Sequence, residues 1–167
     1  MLTALDASPE SLDDVEQSFV AKIREYGWFR TSVSGDGSGP GFSYTTGFWV
    51  DCGQPEFVVF SLKNEIAHNV FWDLFRDGRD GQTVPIGRRS DAIFGNAAAY
   101  AFRVAKTHYQ DHFGWSRWFY GNDDFACLQI VWPDRAGKFP WEVDFDEAFG
   151  ADQPDLTERG WINEVLD

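Results

Sequence analysis

Glu56-Phe57-Val58-Val59-Phe60-Ser61-Leu62, introduced by Pro55, is the segment that most constrains what this chain can fold into. It is nearly all apolar and too short to be a helix of ordinary length. A strand with no alternation of apolar and polar residues sits in the middle of a sheet, covered on both faces. The rest of the chain must therefore supply neighbouring strands and helices to bury it. Aromatic side chains make up 17 % of the 167 residues, with 16 Phe, 8 Trp and 5 Tyr, so the expected core is built largely of rings. A subset of those rings is expected to line a pocket or partner surface, where Trp and Tyr are favoured.

The flanking patterns supply the partners. Residues 8–26 read as an amphipathic helix, with Ser8 as N-cap, Pro9 in its first turn and a stripe of Leu12, Val15, Phe19, Ile23 and Tyr26 that ends at Gly27. Residues 28–33 alternate as a strand, Gly35 to Gly41 forms a turn, and Phe42 to Val50 reads as a second strand. Asn64 to Arg76 is a second helix, capped by Asn64 or Ser61. Thr83 to Ile86 is a short strand, Ala99 to Ala105 a longer one, and His108 to Tyr120 a third helix. Phe125 to Trp132 is a strand. Pro133 to Gly137 is a turn, and Phe139 to Val143 is expected to pair back across it as a hairpin clamped by Trp–Pro contacts. The 144–167 tail is acidic and expected to be ordered in patches, with Trp161, Ile162, Val165 and Leu166 docking a short helix. The reading is one α+β domain. It has a mostly antiparallel sheet, strongly curved or barrel-like at the extreme, and about three helices.

Charge and cysteine usage narrow the classes. A net charge of −13 disfavours nucleic acid and anionic membranes as partners and suits a basic protein. Cys52 and Cys127 stand too far apart for a disulfide scaffold or a thiolate zinc site. No signal-peptide pattern or stretch of about 20 apolar residues occurs, so a cytoplasmic location is expected. Gly35 to Gly41 lacks the lysine of a phosphate loop, and no Gly-x-Ser-x-Gly elbow is present.

Few residues offer chemistry. His108 and His112 share a helix face and are the candidate zinc ligands, with His68, Asp111 or Cys127 to complete a metal-dependent hydrolase site. Cys127 lies in an apolar strand, where a thiol is inert. Glu56 heads the central strand as a loop cap or a pocket-facing carboxylate. Asp134 suits a turn. Trp132 and Trp141 are expected to form one wall of a groove, with Tyr44 or Trp49 opposite.

Three blocks of residues carry a resemblance. They are Gly27-Trp28; Tyr44-Thr45-Thr46-Gly47-Phe48 with Gln54-Pro55-Glu56-Phe57; and Tyr120-Gly121 with Leu128-Gln129 through Trp132-Pro133-Asp134 to Gly137 and Phe139-Pro140-Trp141. Together they resemble the bacterial domain of unknown function 4262 over roughly residues 14–143, departing at Thr46 and Phe48, where the family more often has Ile or Val and Leu. The resemblance implies a stand-alone bacterial protein and carries over no catalytic residues. The expected function is a non-enzymatic binding protein, an immunity- or antitoxin-type inhibitor of a basic toxin. The alternative is a site for a planar ligand such as flavin, since the strand, Gly-rich turn and Pro-led strand are loosely similar to split-barrel flavoproteins.

Overall fold

The computed structural model describes residues 2–166. Five strands form one open, mixed sheet in the order β1-β2-β3-β5-β4. β1 is Phe29–Val33, β2 Phe42–Thr46, β3 Glu56–Phe60, β4 Tyr100–Arg103 and β5 Cys127–Val131. Every pairing is antiparallel except β3 with β5, so the sheet is mostly antiparallel, and its ends β1 and β4 do not close into a barrel. β3 takes the middle position expected of it, and all five of its residues are buried.

Among the described residues, six α-helices accompany the sheet: α1 Asp14–Tyr26, α2 Phe48–Cys52, α3 Asn64–Arg79, α4 Tyr109–His112, α5 Gly114–Tyr120 and α6 Trp161–Glu164. The long ones are α1, α3 and α5. Alternate residues of β3 serve opposite faces. Phe57 and Val59 join Ala67, Phe71 and Phe75 of α3 in one core. Val58 and Phe60 join Phe19 and Ile23 of α1 and Phe113 and Phe119 of the α4–α5 pair in the other. A third cluster covers β4, where Tyr100 and Phe102 meet Phe139 and Trp161. Among the described residues, no helix is long and apolar enough to cross a membrane.

Several expected boundaries move. α1 does not begin at Ser8, because Asp13 and Glu16 form a reciprocal capping box of 2.8 and 2.9 Å. Pro9 instead starts a separate 3-10 turn, Pro9–Ser11. Of the predicted stripe, Phe19 and Ile23 are buried, whereas Val15 is 63 % exposed and Tyr26 48 %. Lys63, not Asn64 or Ser61, is the N-cap of α3, and it makes no side-chain cap bond. The segment 83–86 is irregular. The predicted helix 108–120 breaks at Phe113, which leaves the helical region next to Gly114 and buries its ring on Tyr44 and Tyr109.

The expected hairpin after β5 does not form. Phe139 and Trp141 stack on each other and set their rings edge-on against Tyr100, so the segment docks on β4 through rings and not through a ladder. The C-terminal segment is tied to the sheet by two buried glutamines. Gln153 accepts the Trp132 amide and donates to its carbonyl, both at 3.0 Å. Gln129 donates to Pro154 O at 2.7 Å. α6 docks through Trp161, while Ile162 and Leu166 are exposed.

Candidate functional site

Glu56 sits at the centre of the molecule, 1 % exposed. Its Oε1 accepts from Thr45 Oγ1 at 2.7 Å and from the Phe48 amide at 3.3 Å. Its Oε2 accepts from Tyr120 OH at 2.5 Å and from the Trp49 and Gly47 amides at 3.0 and 3.2 Å. The amides of Gly47, Phe48 and Trp49 are the unpaired donors at the start of α2, and the carboxyl gathers all three. This is why the predicted strand 42–50 stops at Thr46. Gly47, at φ 120°, turns the chain, and a Cβ there would lie 2.4 Å from Gly27 O. Burial pushes the Glu56 carboxyl up to about 7, against the pull of its donors. Burial and the neighbouring Glu56 likewise hold the Tyr120 phenol protonated. Glu56 is thus the loop cap, shut away from solvent.

The other predicted residues lie apart. Tyr44 is buried, accepts the Trp115 amide at 3.0 Å, and has its phenol pushed up by burial. Trp49 packs at the edge of the same core. Trp132 packs against the opposite core and donates Nε1 to Phe60 O at 2.8 Å. Trp141 belongs to the cluster over β4. These four rings do not face one another across a groove. Asp134 holds its turn by accepting the amides of Ala136, Lys138 and Asp146, each at 2.9 Å, and those bonds lower its carboxyl, Lys138 most.

His108 and His112 are neighbours with ring centroids 6.1 Å apart, but His112 Nδ1 is bonded to His108 O at 2.8 Å. Cys127 is buried with its thiol pushed up by burial, and His68 stands on α3 on the other side of the sheet. Among the described residues, no group of three or more His, Cys, Asp or Glu is gathered as a metal site.

The cavities mark a different place. A cavity of about 560 Å³ is lined by Lys22 and Tyr26 of α1, Trp28, Phe29 and Arg30 at β1, and His68, Asn69 and Trp72 of α3. A second, of about 600 Å³, shares Lys22, Phe29 and Arg30 and continues along β1 to Asp14, Val15 and Trp115. Together they form a trough along the outer edge of β1, between α1 and α3. Trp28 stacks on His68 at 5.2 Å and lies 6.0 Å from Trp72. Phe48 of α2 meets it edge-on at 5.7 Å, so the helix that Glu56 starts also backs the trough. Three buried side-chain polar atoms on residues that line it have no hydrogen-bond partner: Trp28 Nε1, Arg30 Nε and Thr31 Oγ1. Burial lowers Arg30, whose other nitrogen donates to Asn64 O. Burial and Arg30 lower His68.

Sequence reading missed this site. The signals were two pairs spaced for one helix face, Lys22 with Tyr26 and His68 with Trp72. Neither pair points to the other until the fold sets α1 and α3 on either side of β1.

A family model described as a domain of unknown function (DUF4262) matches residues 22–146, well over half of the chain. The chain belongs to the DUF4262 family. No curated protein and no solved structure matches it significantly. In this DUF4262 chain the matched segment spans both the Glu56 node and the walls of the trough from Lys22 to Trp72. Two of the blocks that carried the resemblance converge in space, with Thr45, Gly47, Phe48 and Tyr120 all bonded to Glu56.

Proposed function

We propose that the protein is a non-enzymatic binding protein and that its ligand seats in the trough on the outer edge of β1. The unmet donors Trp28 Nε1 and Arg30 Nε carry this reading. A buried donor without an acceptor costs about 1–3 kcal/mol, and a bound ligand that supplies the acceptor removes that cost. The donors, with the cation Lys22, call for an acceptor-rich, anionic group. The rings of Trp28, His68 and Trp72 call for flat or apolar surface beside it. A flavin nucleotide, planar at one end and phosphorylated at the other, is one small molecule of that kind.

The test follows the Trp28 indole N–H by NMR during titration with phosphate, benzoate and flavin mononucleotide. Saturable movement by at least one of them supports the trough. A Trp28 resonance unmoved by all three, and by peptides, counts against it.

A second reading rests on charge. A basic protein partner of the immunity or antitoxin kind would meet the acidic surface, where Val143 stands fully exposed beside exposed Asp144, Asp146 and Glu147. None of these residues lines the trough. Reversing the three charges should abolish capture of such a partner at low salt and leave the Trp28 titration unchanged.

A further inference from the structure

We infer that the trough takes an extended, acidic peptide segment as a sixth strand on β1, an inference that rests on the trough being the binding site. β1 is an edge strand, paired only with β2 among the described residues. The ladder decides which of its amides face outward. The Ser61 amide donates to Gly41 O at 2.9 Å, so the alternate residue Ser43, opposite Val59, also turns its backbone groups toward β3. Phe42, Tyr44 and Thr46 therefore face β1, and their partners Val33, Thr31 and Phe29 face back. The N–H and C=O groups of Arg30 and Ser32 are left pointing out of the sheet, at the spacing an antiparallel neighbour requires.

Proteins usually blunt such an edge with charge, a bulge or a covering element. Here the edge lies in a trough whose two cavities run along the strand. Five residues of β1 span about 17 Å, a length suited to a short extended segment and longer than a compact anion needs. Val15, Tyr26 and Trp72, all exposed large apolar side chains, line it.

The occupant's chemistry follows from the lining. In a chain of net charge −13, the trough carries the cations Lys22 and Arg30 against a single acid, Asp14, at its far end. Side chains of an added strand alternate between the two faces. Those on the α3 side meet Arg30 beside the rings of Trp28 and His68 and suit Asp or Glu. Those on the α1 side meet Phe29 and Trp115 and suit apolar residues. A second copy of the chain fits poorly, because it would bring two bodies of net charge −13 together.

The experiment uses the full chain and four end-blocked hexapeptides, with NMR readout at the Trp28 indole and the Arg30 and Ser32 amides. One peptide alternates Glu and Val, the second replaces Glu by Lys, and the other two are the Glu peptide N-methylated at every second residue, one in each phase. The Glu peptide is expected to bind saturably and move all three resonances. The Lys peptide, and the N-methylated peptide in one phase, should bind at least about tenfold more weakly, roughly 1.4 kcal/mol. Lys22→Gln, an exposed change that leaves the core alone, should weaken the Glu peptide about threefold or more, and unchanged affinity there counts against the charge argument. Equal binding of the Glu peptide and both N-methylated forms overturns strand addition. If phosphate, benzoate or flavin mononucleotide moves the Trp28 indole and the Glu peptide does not, the site stands and strand addition falls. If no probe moves it, both fall. Concentration-dependent dimerisation that perturbs Arg30 and Ser32 without peptide identifies a second copy as the occupant and overturns the inference.

Discussion

Replacing Glu56 by glutamine isolates the cost of burying one carboxyl. In the folded chain this group titrates at about 7, against 4.5 for an ordinary glutamate. In strong acid both the folded and unfolded chains hold the proton. As pH rises past 4.5 the unfolded chain releases it and the folded chain does not, so stability falls until the folded group also ionises near 7. The difference amounts to about 3 kcal/mol, most of it between about pH 5 and pH 8. Glutamine mimics the neutral acid. Its oxygen can take the Oε2 place facing Tyr120, Gly47 and Trp49, and its amide can donate to Thr45 Oγ1, which leaves the 3.3 Å bond from Phe48 unmade and the Thr45 hydroxyl hydrogen without the carboxylate acceptor it had. Those losses cost about 1–2 kcal/mol. Urea unfolding followed by tryptophan fluorescence, with wild type and Glu56→Gln measured from about pH 5 to pH 8, gives the comparison directly. Wild type should lose about 2–3 kcal/mol relative to the variant across that range and become the less stable of the two at the alkaline end. A gap that is flat, or that widens in favour of wild type, would refute the reasoning. It would mean that the five donors outweigh burial and keep Glu56 ionised throughout.

Other changes test the frame around that node. Gly47→Ala would force a Cβ to within 2.4 Å of Gly27 O at a φ of 120°, and should cost about 3 kcal/mol or more in urea unfolding. Trp132→Phe keeps a ring but removes the 2.8 Å bond to the Phe60 carbonyl, and should cost about 1–3 kcal/mol with the Trp28 titration unchanged. Asp134→Ala frees three backbone amides. Because its folded carboxyl lies below the usual range, the wild-type advantage should be full at neutral pH and shrink as the pH falls through that range, as measured by thermal melts.

Much of the frame was legible from local pattern. The apolar run at β3 announced a strand buried on both faces, and α3 was placed from Asn64 to Arg76, three residues short of its end at Arg79. α1 was found, but its start was misplaced because Ser8-Pro9 and Asp13 with Glu16 are both helix-start signals. Only the observed capping box decides between them. The errors elsewhere share a cause. Strand β2 was drawn too long because its stop is enforced by Glu56, a residue on another strand. The 139–143 segment was drawn as a strand because its rings and turn look like half a hairpin, whereas Tyr100 and Phe102 of β4 capture those rings first.

By itself the sequence determined an α+β chain with an aromatic core and a central β3, because periodicity records locally which face of each element is buried, while particular residue blocks carried its likeness to the DUF4262 family. Tertiary structure alone decided what surrounds Glu56 and where the trough lies. The partners of that carboxyl come from β2, the start of α2 and the end of α5, and the walls of the trough come from α1, β1 and α3. Which of these side chains meet is set by the order in which strands pair and the faces on which helices land, and no short window of sequence contains that.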